Sequence, residues 1–145
     1  MAVIHTFESM VHDSWSLAVF EAVHWFNEFR PSILAALTSP NGEVRSAAVA
    51  ALNEANDQNA HDQVFALLAD PDHLVRDEVL EYLVEFAVEA DVQALFNILK
   101  EKQQLFLASS ALKRLYPQGP VIYEDDSASS QEADISKWEV ILGVR

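Results

Sequence analysis

The stretch Leu37-Thr-Ser-Pro40-Asn-Gly-Glu-Val44-Arg45 returns further along the chain as Leu68-Ala-Asp-Pro71-Asp-His-Leu-Val75-Arg76. Leu37, Pro40, Val44 and Arg45 each recur 31 positions on, and Leu52 falls on Leu83 in the same register. A fixed period of this length marks a stacked repeat, in which no unit can bury its apolar face alone. The unit has a readable grammar. Apolar residues ahead of the proline form a first helix: Ile33, Leu34 and Leu37 in one copy, Val64, Phe65 and Leu68 in the next. The proline sits just past that helix, where its missing N–H does no harm. After a short polar turn, Val-Arg opens a second helix. Its apolar residues in the second copy are Val75, Val79, Leu80, Leu83, Phe86 and Ala87, which share one broad face at about 100° per residue.

Outward from these two copies the pattern weakens. Leu95, Phe96 and Leu99 supply a third first helix, and Leu107, Ala111, Leu112 and Leu115 a third second helix, with one extra residue in the turn. Lys100 to Gln104 replaces the proline turn there. Terminal units of a stack are expected to be atypical, because the last must close the core. Tyr116-Pro117 and Gly119-Pro120 end the helical run. On the other side, His12-Asp13-Ser14 reads as a helix N-cap. Trp15, Ala18, Val19, Ala22, Trp25, Phe26 and Phe29 follow it at helical spacing. That helix is expected to end within Asn27 to Pro31, and a short helix within Val3 to Val11 to precede it. Most of the aromatics read as core; Leu17 and Phe20 fall off the apolar face and could form a patch for a partner.

The Pro-x-x-x-Val-Arg turn of Pro40 to Arg45 and Pro71 to Arg76, set in a repeating helical hairpin, resembles HEAT repeats of the short bacterial kind. The resemblance covers roughly residues 31 to 116. Tetratricopeptide and ankyrin signatures are absent. It implies an all-α, right-handed α-solenoid of about three to four hairpins, with the second helices lining the concave face. It also implies that Pro40, Arg45, Pro71 and Arg76 are structural, the arginines tying neighbouring units together. The expected organisation is a repeat domain over residues 1–117 followed by a tail over residues 118–145. In that tail, Glu124 to Asp134 reads as a flexible acidic linker. Trp138, Val140, Leu142 and Val144 alternate like a short strand that could pair with Val121-Ile122-Tyr123 as a β-hairpin.

Composition agrees with a helical domain and narrows the function. The chain has 145 residues, half of them apolar, with 3 Gly, 5 Pro and no Cys. So few turn-formers disfavour an all-β fold, and without Cys there is no disulfide or thiolate metal site. No signal-peptide pattern or membrane-length apolar run is evident, which makes a cytoplasmic protein the default expectation. The formal net charge is −14. Such a chain repels phosphate backbones, so neither nucleic acid nor membrane is the expected partner; a basic protein is.

The charge is concentrated: residues 54 to 91 hold 11 acidic residues and one basic residue, Arg76. On a helical projection that takes Glu78 as its origin, Glu81 falls at about 300°, Glu85 at about 340° and Glu89 at about 20°, while the core stripe centres at about 130°. Asp77, Glu78, Glu81, Glu85 and Glu89 are thus the candidate partner-binding residues. A solvated face is the plainer alternative.

Catalytic signals are weak. His12-Asp13 and His61-Asp62 look like fragments of a metal-hydrolase motif, but no further His stands at a ligand spacing, and Asp13 and Asp62 read better as N-caps. HEAT-like iron hydroxylases carry His-Glu pairs, and this chain has none. Neither a nucleophile motif nor a phosphate-binding glycine loop appears. The leading expectation is a non-catalytic module, with no cofactor or metal, whose acidic concave face holds a basic protein. The alternatives are an immunity protein neutralising a cationic toxin such as a nuclease, and a HEAT-like lyase or metal-dependent enzyme.

Overall fold

Seven α-helices and two single 3-10 turns carry the chain through residues 15–144, the part that the computed structural model describes. They are α1 (Trp15–Ala36), α2 (Gly42–Glu54), the 3-10 turn Gln58–Ala60, α3 (His61–Phe65) and α4 (His73–Phe86). The 3-10 turn Glu89–Asp91, α5 (Val92–Lys100), α6 (Leu105–Leu115) and α7 (Ala128–Leu142) follow. The second half of α1 pairs with α2, α3 with α4, and α5 with α6. These pairs stack in chain order, with α4 packed on α2 and α6 on α4. Consecutive second helices lie closer to one another than consecutive first helices do.

The sequence register is visible in the burial. Ala48, Val49 and Leu52 of α2 are buried, as are Val79, Leu80 and Leu83 of α4 in the matching places. Burying such a side chain fully is worth about 1.5–3 kcal/mol, and the stripe of each second helix closes on the next.

The turns repeat chemically, not only in sequence. The Ser39 hydroxyl accepts the N–H of Asn41, and the Asp70 carboxylate accepts the N–H of Asp72. Asn41 caps α2 by accepting from Glu43 N–H, and Asp72 caps α4 by accepting from Leu74 N–H. The Arg45 guanidinium donates to the Ser39 carbonyl at 2.8 Å, and Arg76 donates to the Asp70 carbonyl at 2.7 Å. Each element of one turn therefore has its counterpart in the other. Asp72→Ala is expected to cost about 1 kcal/mol of stability through loss of the cap, read as a lowered urea midpoint with an unchanged slope.

Two expectations need correction. The first concerns α1, which runs through Pro31 instead of ending before it. Proline removes one helical hydrogen bond, but Ile33, Leu34 and Leu37 just beyond it pack into the core, and that packing holds the helical turn.

The third turn carries the expected extra residue. α4 opens 31 positions after α2 (Gly42 to His73), but α6 opens 32 positions after α4 (His73 to Leu105). The first helices keep the step of the first two units, Val64 and Leu68 matching Leu95 and Leu99. The third turn is thus one residue longer than the other two. The chain closes it by placing Lys102 and Gln104 at φ of 56° and 42°, left-handed conformations that cost a non-glycine residue on the order of 1 kcal/mol.

The second concerns the tail. The expected β-hairpin is replaced by α7, and no strand occurs among the described residues. Gln131, Ile135 and Trp138 are buried at helical spacing, and Ile141 and Leu142 continue the stripe. The alternation pattern skips Ile135 and Ile141, whereas Val140, on which it relies, is 83% exposed. Ser127 caps α7 by accepting the Ser130 N–H, so the segment that reads as a linker contains a helix start. Gly143, at φ 68°, ends the helix in the left-handed conformation that favours glycine. α7 lies against α5, and the connecting segment places Ile122 fully in the core.

Candidate functional site

The side chains of functional interest fall into two sets: pairs that bolt one unit to the next, and a groove of carboxylates over the second helices. Arg45 engages Asp70 with two parallel bonds, Nε to Oδ2 at 2.9 Å and Nη2 to Oδ1 at 2.8 Å. Asp70 is buried and Arg45 nearly so, and this forked geometry is the strongest arrangement a carboxylate accepts. The Arg45 guanidinium holds the Asp70 carboxyl below its ordinary value. Arg76, its counterpart, bonds only to the carbonyls of Asp70 and Pro71. Pro40 and Pro71 stand in the turns just past the first helices.

The sequence pattern does not single out Asp70, although it occupies the place of Ser39 and follows the same Pro register. Two further bolts also escape that pattern. Arg30 pairs with buried Asp57 at 2.6 Å. His61, in the matching place one repeat later, pairs with buried Asp91 at 2.6 Å. Between them, the Tyr82 hydroxyl donates to the Asp57 carbonyl at 2.7 Å. Asp62 does not cap α3, contrary to expectation. It lies inside the first turn and accepts from His61 Nδ1 at 2.9 Å, because the preceding 3-10 turn leaves Ala60 in the capping place. His12, Asp13 and the side chains of Trp15, Leu17, Phe20 and Trp25 lie outside the described residues.

The five acidic candidates divide. Asp77 accepts a hydrogen bond from Gln104, and Glu89 accepts one from Tyr116. Asp77 thereby ties α4 of unit 2 to the third turn, and Glu89 ties the 3-10 turn at the junction to the end of α6. Glu89 is not on α4 at all: Ala87 turns to ψ 143°, so the helical projection past Phe86 fails. Glu78, Glu81 and Glu85 remain on one side of α4. Burial, reinforced by Glu81 and Asp77, pushes the Glu78 carboxyl above its ordinary value. Glu81 and Glu85 are exposed and line a groove of about 450 Å³ together with Asn53, Glu54, Asn56 and Val84. Glu54, from the end of α2, is an unexpected neighbour. The close packing of α2 on α4 brings it there, and no spacing along one helix could reveal it.

A second, apolar groove of about 400 Å³ lies on the leading face of unit 1, where Ile33, Ala36, Val44, Ala48 and Ala51 contribute to its lining. In the repeat register these are Val64, Leu67, Val75, Val79 and Tyr82 of unit 2, four of which are fully buried. The groove is thus the stacking face of the first unit.

Among the described residues no group of three or more His, Asp or Glu comes together as a metal cage, and no helix is long and apolar enough to cross a membrane. Stacked helical hairpins with bolted junctions define a helical-repeat protein of the solenoid class. A family model described as HEAT repeats matches residues 30–115, and the chain belongs to that family. Comparison with the curated proteins and with the solved structures gives no match in either set. HEAT repeats generally mediate protein–protein interaction and are typically non-catalytic scaffolds.

Proposed function

We propose that the chain is a non-catalytic binding module whose layer of second helices holds a basic protein partner. The observation that carries this reading is the groove over α2 and α4, where Glu54, Glu81 and Glu85 converge and no basic residue contributes to the lining. A stack whose second helices lie closer together than its first curves toward the second helices. This supports placing the three carboxylates, with Glu78 beside them, on the inner face, which is where repeat proteins bind. A groove of one sign concentrates ligands of the other and speeds their encounter. A cationic toxin neutralised by the groove is a narrower form of the same reading, supported by the small size and net charge of −14.

The test uses the full chain as bait at low salt with a lysate of the native host, beside a variant carrying Glu78→Lys, Glu81→Lys and Glu85→Lys. The expected result is one or more basic proteins retained by the first and reduced at least about tenfold by the variant, a difference of about 1.4 kcal/mol or more. The reversals exchange like charge for like charge among positions 78, 81 and 85, while Asp77 gains an opposite charge four residues on, worth about 0.2–0.5 kcal/mol. The variant's stability should therefore stay close to the parent's, and its urea midpoint, measured beside the capture, separates lost binding from lost folding. Equal capture by both baits sinks the reading.

A further inference from the structure

We propose that His61 is a pH-sensitive bolt between the second and third units, closed by its imidazolium form and opened by loss of one proton. The geometry requires the charged ring. Nε2 lies 2.6 Å from Asp91 Oδ2, and Nδ1 lies 2.9 Å from Asp62 Oδ1. A neutral imidazole has one N–H, and an ionised carboxylate only accepts, so the neutral ring can satisfy one of these contacts and the imidazolium both.

The two carboxylates are not equivalent. Asp62 belongs to the same helix and is fully exposed, so its contact is screened by water. Asp91 belongs to the following unit and is 1% exposed. Its Oδ2 also accepts the N–H of Val88 at 2.9 Å, which holds the 3-10 turn Glu89–Asp91 in place. Deprotonating His61 leaves that buried carboxylate without its ion-pair partner; the other cation reaching this turn, Arg114 of α6, donates to the Ala87 carbonyl at 3.3 Å. The other charged and titratable groups nearby are already committed. Arg30, from the unit-1 side, is paired with Asp57. Tyr82 of α4 is held up to about 12 and stays neutral across the physiological range. Phe65 stacks on the imidazole at 5.8 Å and shields one face.

The titration has a definite direction. Burial pushes the ring down, but the hydrogen bonds to Asp62 and Asp91 outweigh it, and His61 sits above its ordinary range. A folded-state value above the unfolded value of about 6.5 gives stability that is complete below that pH. It is lost as pH rises through the folded value. The bolt thus opens on the alkaline side, and what it frees is the 3-10 turn whose Glu89 engages Tyr116 of unit 3.

The experiment is an NMR titration of the histidine rings in the full chain, with His61 assigned from the spectrum of His61→Gln. The expected midpoint for His61 lies above about 6.5, and Asp91→Asn moves it back toward that ordinary value. Asp62→Asn moves it less. Hydrogen exchange at Val88 should accelerate across the same interval beyond what base catalysis alone produces. A His61 midpoint at or below the ordinary value, or one unmoved by Asp91→Asn, overturns the proposal. If either junction variant fails to fold, the wild-type midpoint and the Asp62→Asn shift still decide it.

Discussion

Replacing Trp138 by alanine is expected to cost about 3–5 kcal/mol, the range for deleting a fully buried large aromatic from a core. The indole is 0% exposed, and its N–H donates to the Pro120 carbonyl at 2.8 Å. It lies so close to the backbone of Gly119 that a Cβ there would stand 2.1 Å from its ring. Nothing larger than glycine fits at that position while the ring stays put, so Gly119→Ala should act in the same direction. Alanine at 138 removes the ring and leaves the Pro120 carbonyl without its donor. Against a typical domain stability of about 5–15 kcal/mol the loss is a large share. The measurement is urea unfolding followed by circular dichroism, since the substitution removes one of the three tryptophans. A joint loss of signal from the whole stack at a lower midpoint is the expected result, because α7 closes the trailing end against α5. If the midpoint holds and only residues 117–142 become open to protease, α7 is an appendage and not a cap. Trp138→Phe keeps most of the apolar volume but not the donor, and should fall between the two.

How far the fold was legible follows from which distances along the chain carried the information. Leu37, Pro40, Val44 and Arg45 state a period, and the period dictates a stack; units 1 and 2 could be read because every landmark recurs at one step. The third turn broke that step. Its extra residue is absorbed by the left-handed Lys102 and Gln104, and neither residue type announces such a conformation as glycine would. The tail failed for another reason. Trp138, Val140, Leu142 and Val144 satisfy an alternating pattern by accident of composition, while the true stripe through Ile135 and Trp138 depends on an N-cap at Ser127 inside an acidic run that resembled a linker.

The junctions were less legible still. Arg30 and His61 hold the same place in successive units and both grip a buried carboxylate, yet one is a guanidinium and the other an imidazole. Their partners, Asp57 and Asp91, do not share the period. A periodic search therefore passes over them. The acidic candidates were visible as charge, but charge along one helix cannot say which carboxylates a neighbouring helix will use. Gln104 takes Asp77, Tyr116 takes Glu89, and α2 supplies Glu54 in their stead.

Tyr82 shows how much one such residue can hold, and two substitutions there separate its parts. The ring is fully buried between the layers and packs against Phe86 in a tilted arrangement at 4.7 Å, while the hydroxyl reaches the Asp57 carbonyl across the junction of units 1 and 2. Tyr82→Ala removes both and is expected to cost about 3–5 kcal/mol. Tyr82→Phe keeps the ring and is expected to cost about 1–2 kcal/mol, the price of a buried hydrogen bond whose acceptor is left unmatched. A Tyr82→Phe loss as large as that of Tyr82→Ala would mean that the contact to Asp57, not the packing, holds the junction. The hydroxyl also makes an alkaline prediction. Burial, with a smaller push from Asp57, raises the Tyr82 phenol to about 12 from an ordinary value of 10. Its raised folded value means that its contribution is complete below pH 10 and declines as pH climbs toward 12. Wild-type stability should therefore fall more steeply than that of Tyr82→Phe over that interval, so that the gap between the two narrows. Unfolding free energies for both proteins at about pH 9 and about pH 11.5 test this directly, and parallel losses would show that the phenol ionises freely in the folded chain.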